Sequence, residues 1–152
     1  MMQHAQFLER CLEIAQEAVD KGDQPFGALV ALDGKVVVSS VNEVFILNDV
    51  TAHAELRVVQ KAQKRLSLEE LSRSTLYTST EPCPMCAGAI YWAGINHVVF
   101  GCSQEQLYSV VRGGLELKTV EVFKTGARDI KVEDFSADLR FVQMHKDFWK
   151  KT

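Results

Sequence analysis

Two short stretches decide how this chain is read: Thr80 to Gly88, T-E-P-C-P-M-C-A-G, and, earlier, Thr51 to Leu56, T-A-H-A-E-L. Cys83 and Cys86 stand three apart, so a helix beginning at Pro84 sets both sulfurs on one side, where they can grip one metal ion. Proline is tolerated before and at a first helical turn, which accounts for Pro82 and Pro84. His53 is the natural third ligand, because imidazole and thiolate both suit a borderline-soft ion, and Zn2+ is the natural candidate. Three protein ligands leave a fourth position for water, the mark of a catalytic rather than a structural zinc.

Glu55 supplies the other half of the chemistry. On a helix, His53 and Glu55 point roughly 200° apart, so they share no side face. Both reach one pocket from the first turn of a helix whose N-terminal end faces that pocket. Cys83 belongs at the start of a helix by the same argument, and two helix N-termini aimed at one metal favour thiolates through their dipoles. H-x-E followed by P-C-x-x-C is the signature of zinc-dependent nucleobase deaminases, in which the glutamate is an acid and base and not a ligand. On that reading Glu55 is the catalytic residue, carrying protons between water, a ring nitrogen and a departing amine.

The 152 residues, 47% hydrophobic and 24% charged, suit one globular domain, residues 1–152, with a real core. A formal charge of −3 and a pI of 5.8 offer no general attraction for a polyanion, which makes nucleic acid the less favoured partner. The longest apolar runs, Phe26 to Leu32 and Ala87 to Ile95, are too short to cross a bilayer, and the N-terminus shows no signal-peptide pattern. A cytoplasmic protein is therefore expected, with C-x-x-C serving metal or redox work rather than a disulfide. Cys11 and Cys102 fall in apolar runs and read as buried bystanders.

Along the chain, His4 to Lys21 repeats apolar residues at helical spacing and Gly22 ends the run. Phe26 to Leu32 and Lys35 to Val41 read as a hairpin about Asp33-Gly34. Gly27 reads as a point of close backbone approach to a ligand or the metal loop, or as freedom at a strand entry. Asn42 to Val50 reads as a loop, Ala52 to Arg65 as a helix, Thr75 to Thr80 as a strand, and Pro84 to Ala93 as a helix apolar on nearly every side and so buried. Asn96 to Cys102 is a strand, Ser103 to Arg112 a helix, Ile130 to Phe135 a short strand and Ala137 to Lys150 a closing helix. Strands alternating with helices imply right-handed crossovers and a layered α/β sheet. His4, His97 and His145 have no partner at metal spacing and read as ordinary surface or strand histidines. Asn42 is either a turn residue or a substrate contact, and Trp92, Trp149 and Phe26 are either core or stacking surfaces.

The segments Pro25-Phe26-Gly27-Ala28, Asn48-Asp49, His53-Ala54-Glu55, Leu76-Tyr77-Thr78-Ser79, Glu81-Pro82-Cys83-Pro84-Met85-Cys86 and Gly88-Ala89-Ile90-Tyr91-Trp92-Ala93 resemble the cytidine and deoxycytidylate deaminase superfamily. Within it they look most like the guanine deaminase and tRNA adenosine deaminase branch. The resemblance implies an α/β/α sandwich around a five-stranded mixed sheet, a homodimer, zinc on His53, Cys83 and Cys86, and Glu55 as proton shuttle. It also implies Asn42 and Phe26 at the substrate, backbone near Ala54 and Cys83 around the water, and Phe148-Trp149 either closing the pocket or docking on the core. The implied substrate is a small nucleobase or nucleoside, guanine or a related purine first and cytosine or an analogue next. A tRNA-specific adenosine deaminase is the alternative enzyme, and a non-catalytic protein with a structural zinc the alternative of another class. The last is disfavoured, because no fourth Cys or His is suitably spaced and Glu55 would have no task.

Overall fold

The computed structural model describes residues 2–150. Helix α1 (Met2–Asp20) leads into strands β1 (Gly27–Leu32) and β2 (Lys35–Val41). Then come α2 (Val44–Leu47), α3 (Ala54–Arg65), α4 (Leu68–Ser72), β3 (Thr75–Thr80) and α5 (Pro84–Ala93). The chain continues through β4 (His97–Cys102), α6 (Gln104–Val110), α7 (Thr119–Lys124), β5 (Lys131–Asp134) and α8 (Arg140–Trp149). The five strands form one mixed sheet in the order β2-β1-β3-β4-β5. β1 runs antiparallel to both β2 and β3, while β3, β4 and β5 are parallel.

Strand periodicity of two sorts the core into two layers. Ala28, Val30, Leu76 and Val98 face Ala54, Val58, Ala62, Ala87, Ile90 and Phe123 of α3, α5 and α7. Their neighbours Leu29, Ala31, Tyr77 and Val99 face Leu8, Cys11, Ile14, Leu107 and Phe141 of α1, α6 and α8. The result is the expected α/β/α sandwich. The three inner strands are covered on both faces and so read as near-continuous apolar runs, whereas the edge strands β2 and β5 alternate or stay half-exposed. No helix among the described residues is long and apolar enough to cross a membrane.

Three expectations need correction. The Asn42 to Val50 stretch contains the single turn α2, which forms because Asp23, from the loop after α1, accepts hydrogen bonds from the amides of Phe45 and Ile46 at 3.0 Å. A contact 22 residues away in sequence makes that turn, and no local pattern encodes it. Helix α5 is not buried all round. Cys86, Ala87, Ile90 and Ala93 face the core, while Trp92 is 83% exposed on the outer side. The close backbone approach at Gly27 is to helix α1. A Cβ there would lie 2.6 to 2.8 Å from Ala15 N, Cys11 O and the Ile14 Cβ, so β1 enters the sheet pressed against the backbone of α1.

That approach predicts that Gly27→Ala, in which helix backbone must yield, lowers stability by about 1–3 kcal/mol. In thermal unfolding the variant should melt several degrees below the parent, with the same fold by circular dichroism.

Candidate metal centre and cleft

The centre forms where two helix N-termini meet. His53 is the N-cap of α3 and Cys83 the N-cap of α5, both with extended backbone, and Pro84 follows Cys83 at the first helical position. His53 Nδ1 lies 3.6 Å from Cys83 Sγ and 3.6 Å from Cys86 Sγ. Zinc bonds of about 2.0–2.1 Å to nitrogen and 2.3 Å to sulfur, at tetrahedral angles, space such donors by about 3.6 Å, so the three side chains already stand at ligand separation. The hydrogen bond from Cys86 pushes the Cys83 thiol down to about 4, while the same bond and burial push Cys86 up.

Glu55 sits in the first turn of α3 and is 4% exposed. Its Oε1 has no hydrogen-bond partner among the described residues, and burial pushes its carboxyl up to about 7. A buried carboxyl oxygen left without a partner costs stability, so the fold retains Glu55 here at a penalty.

A cleft of about 210 Å³ opens over these groups, lined by Gln24, Phe26, Asn42, Thr80, Tyr108, Arg112 and Trp149 among others. Asn42 is oriented from behind. Asp23 Oδ1 accepts from its Nδ2 at 2.6 Å, and since a carboxylate only accepts, this fixes which end of the amide faces Asp23 and leaves the amide oxygen and the second N–H of Asn42 to offer. Asp23 therefore fixes both α2 and Asn42, a role no spacing in the sequence announces. Glu81 does similar work for the far wall, accepting from the amides of Gln104 and Thr119 at 2.9 Å.

The substrate-contact expectations divide. Phe26, Asn42 and Trp149 line the cleft, and Ala54 is buried at the first position of α3, where amides lack intrahelical partners. Trp92 does not: it stands on the outer face of α5, edge-on to Tyr91. Phe148 lines a separate groove between α1 and α8 with Leu12, Val19 and Met144. Successive helical residues point about 100° apart, so Phe148 and Trp149 could not both face the cleft.

His145, read from sequence as an ordinary histidine, is 1% exposed and braces the cleft wall. Trp149 Nε1 can only donate, so His145 Nδ1 accepts it at 3.3 Å and Nε2–H donates to Thr80 Oγ1 at 2.7 Å. Phe26 packs on the same imidazole at 5.0 Å between ring centroids.

These features agree with the comparisons. Residues 1–102 match the family model described as the cytidine and deoxycytidylate deaminase zinc-binding region. A probable cytosine deaminase of Schizosaccharomyces pombe is 33% identical over 148 residues, covering 94% of this chain and 90% of its own. Guanine deaminase of Bacillus subtilis is 48% identical over 93 residues, 60% of each chain. A tRNA-specific adenosine deaminase of Agrobacterium fabrum is 39% identical over 113 residues, 74% of each. Among solved structures, one from a study of A-to-I editing by tRNA:A34 deaminases superimposes with a TM-score of 0.78 at 34% identity, over 92% of this chain and 99% of that one. The chain belongs to the cytidine and deoxycytidylate deaminase family, zinc enzymes that hydrolyse C–N bonds. It is a deaminase of a zinc-binding family, and His53, Cys83 and Cys86 form its candidate zinc site.

Burial holds the His145 imidazole down to about 4. A histidine with a folded-state pKa below its unfolded value contributes no penalty above about pH 6.5, and stability falls as pH drops from there toward 4. Wild type should lose roughly 2 kcal/mol more than His145→Gln between pH 7.5 and pH 5 in urea unfolding.

Proposed function

We propose that the protein hydrolyses the exocyclic C–N bond of a small free nucleobase, guanine or a related purine first and cytosine or an analogue next, releasing ammonia. Glu55 carries the reading: a buried carboxyl beside His53 and Cys83, with one oxygen that no described residue satisfies, has no structural employment. Zinc on His53, Cys83 and Cys86 supplies, when bound, the Lewis acidity that brings the pKa of a water to about 7. Glu55 Oε1 receives the proton from the attacking water and passes it to the ring nitrogen beside the carbon under attack. It then takes the proton of the newly formed C–OH and delivers it to the departing amine, so that one C–O bond replaces one C–N bond and the products are a carbonyl and ammonia. The Asn42 amide oxygen accepts from an N–H of the base, and Phe26 and Trp149 offer ring faces to it.

Two observations favour a free base. The cleft is smaller than the about 300–1,000 Å³ typical of drug-sized ligands, and the protein is net acidic, where RNA binding draws much affinity from lysine and arginine at phosphates. A second reading, a tRNA-specific adenosine deaminase, is favoured by the likeness to the tRNA:A34 deaminase structure over nearly the whole of both chains. A homodimer is also proposed, because α2, the loop after it and α5 leave Phe45, Ile46, Leu47, Val50 and Trp92 exposed, apolar area that a second copy would cover. The compartment we propose is the cytoplasm.

In an ammonia-release screen of free bases, nucleosides and an anticodon stem-loop, wild type should turn over a free base, and Glu55→Gln should keep its zinc while losing about 10²–10⁴ in rate. Deamination of the stem-loop with the free bases untouched would reverse the order of the two readings. Equal rates for wild type and Glu55→Gln would remove the role given to Glu55. Trp92→Glu should shift sedimentation from dimer toward monomer.

A further inference from the structure

Three side chains that the deaminase chemistry does not use converge at the end of the sheet away from the cleft. His4 comes from the first turns of α1, His97 opens β4, and Glu133 lies in β5, with their donor atoms all within 4.8 Å of one another. The sheet's register explains the meeting. Val99 pairs with both Tyr77 and Glu133, so Tyr77, His97, Val99 and Glu133 fall on one face, the one against which α1 packs. Glu133 Oε2 lies 3.0 Å from His4 Nε2 and 2.5 Å from His97 Nε2. The other ring nitrogens are engaged as well: His4 Nδ1 is 2.6 Å from the Tyr77 hydroxyl and His97 Nδ1 is 3.1 Å from Thr75 Oγ1. All three side chains are half-buried.

We propose that His4, His97 and Glu133 form a second metal site, for a divalent late-transition ion of the zinc or nickel class, with water completing its coordination. The donor set decides the class: two imidazoles and one carboxylate suit zinc, nickel, copper or iron, whereas magnesium and calcium take oxygen ligands. The separations are near those required, since metal bonds of about 2.1 Å place neighbouring donors about 3.0–3.4 Å apart and the carboxylate has to withdraw by less than about 1 Å. Orientation is already set. With Nε2 on the metal, each Nδ1 carries a proton and donates it to the hydroxyl it faces, the outer support that ligating histidines ordinarily receive. Lys131 Nζ, 3.8 Å from Glu133 Oε2, is the one competing cation among the described neighbours, and its side chain is mostly exposed and able to turn into solvent. The site would clamp α1 to β4 and to the four-residue edge strand β5, independently of the reaction at Glu55.

The test starts from protein carrying one zinc per chain and titrates it with Zn2+ and Ni2+, using Mg2+ as the hard-cation control. Wild type should bind a second equivalent of Zn2+ or Ni2+ but not Mg2+, hold it through gel filtration, and melt at a higher temperature with it. His4→Ala, His97→Gln and Glu133→Gln should each weaken the second equivalent by tenfold or more, lose the metal-dependent rise in Tm, and keep the first zinc. Retention of that first zinc shows that each variant is folded. A wild type that binds one ion only, or variants that bind the second as tightly as wild type, would overturn the proposal and leave the cluster as a hydrogen-bonded triad.

Discussion

Everything in the cleft depends on two helices starting at the same point. The first amides of α3 and α5 have no intrahelical partners, and the positive ends of both dipoles fall on the ground occupied by His53, Cys83 and Cys86. That field favours thiolate over thiol and receives developing negative charge, so it serves both the binding of zinc and the reaction beside it. The sheet sets the meeting. β3 delivers the chain to Cys83 at its carboxyl end, and α3 packs across β1 and β2 so that its first turn reaches the same place. Ligands 30 residues apart are thereby joined, and a metal closing a loop of that length restricts the unfolded chain much as a covalent cross-link does.

Glu55 shows the tension between stability and chemistry most plainly. A buried carboxyl without a partner would ordinarily be replaced by an apolar residue, since such a change removes a desolvation penalty. Around it, Asp23, Glu81 and Asn42 spend polar atoms on neighbouring backbone or side chains, while the Gln104 amide donates to the carbonyls of Pro82 and Leu117 and leaves its own oxygen without a partner among the described residues. Of these two unpartnered oxygens, the one on Glu55 belongs to an ionisable group and lines the cleft beside His53 and Cys83.

Much of this was legible in the sequence, and the boundary is physical. The three ligands and Glu55 could be read because two helix starts impose local spacings, C-x-x-C and H-x-E, and because proline marks where one of those helices begins. The strands could be read because burial on both faces demands unbroken apolar runs. The turn α2 was illegible because Asp23 makes it from a distance, and the same is true of the orientation of Asn42. His4, His97 and Glu133 are drawn together only by strand register, which sequence spacing does not carry. Trp92 misled for a different reason: an all-apolar helix looks buried, and nothing within a single chain distinguishes a face turned to the core from one turned outward. Phe148 and Trp149 were read as a unit, but a helix sends adjacent residues to different neighbours.

One side of the cleft is supplied by α8, through Trp149 and its brace on His145 and Thr80, whereas His53, Cys83, Cys86 and Glu55 belong to α3, α5 and the turns before them. Trp149 and the donor cluster thus sit on separate elements of the chain, joined through His145 and Thr80 by a few hydrogen bonds. Drift in the last helix can therefore recontour one side of the opening while the helix starts that gather the donors are left as they were, a modularity that follows from where the chain happens to end its last turn.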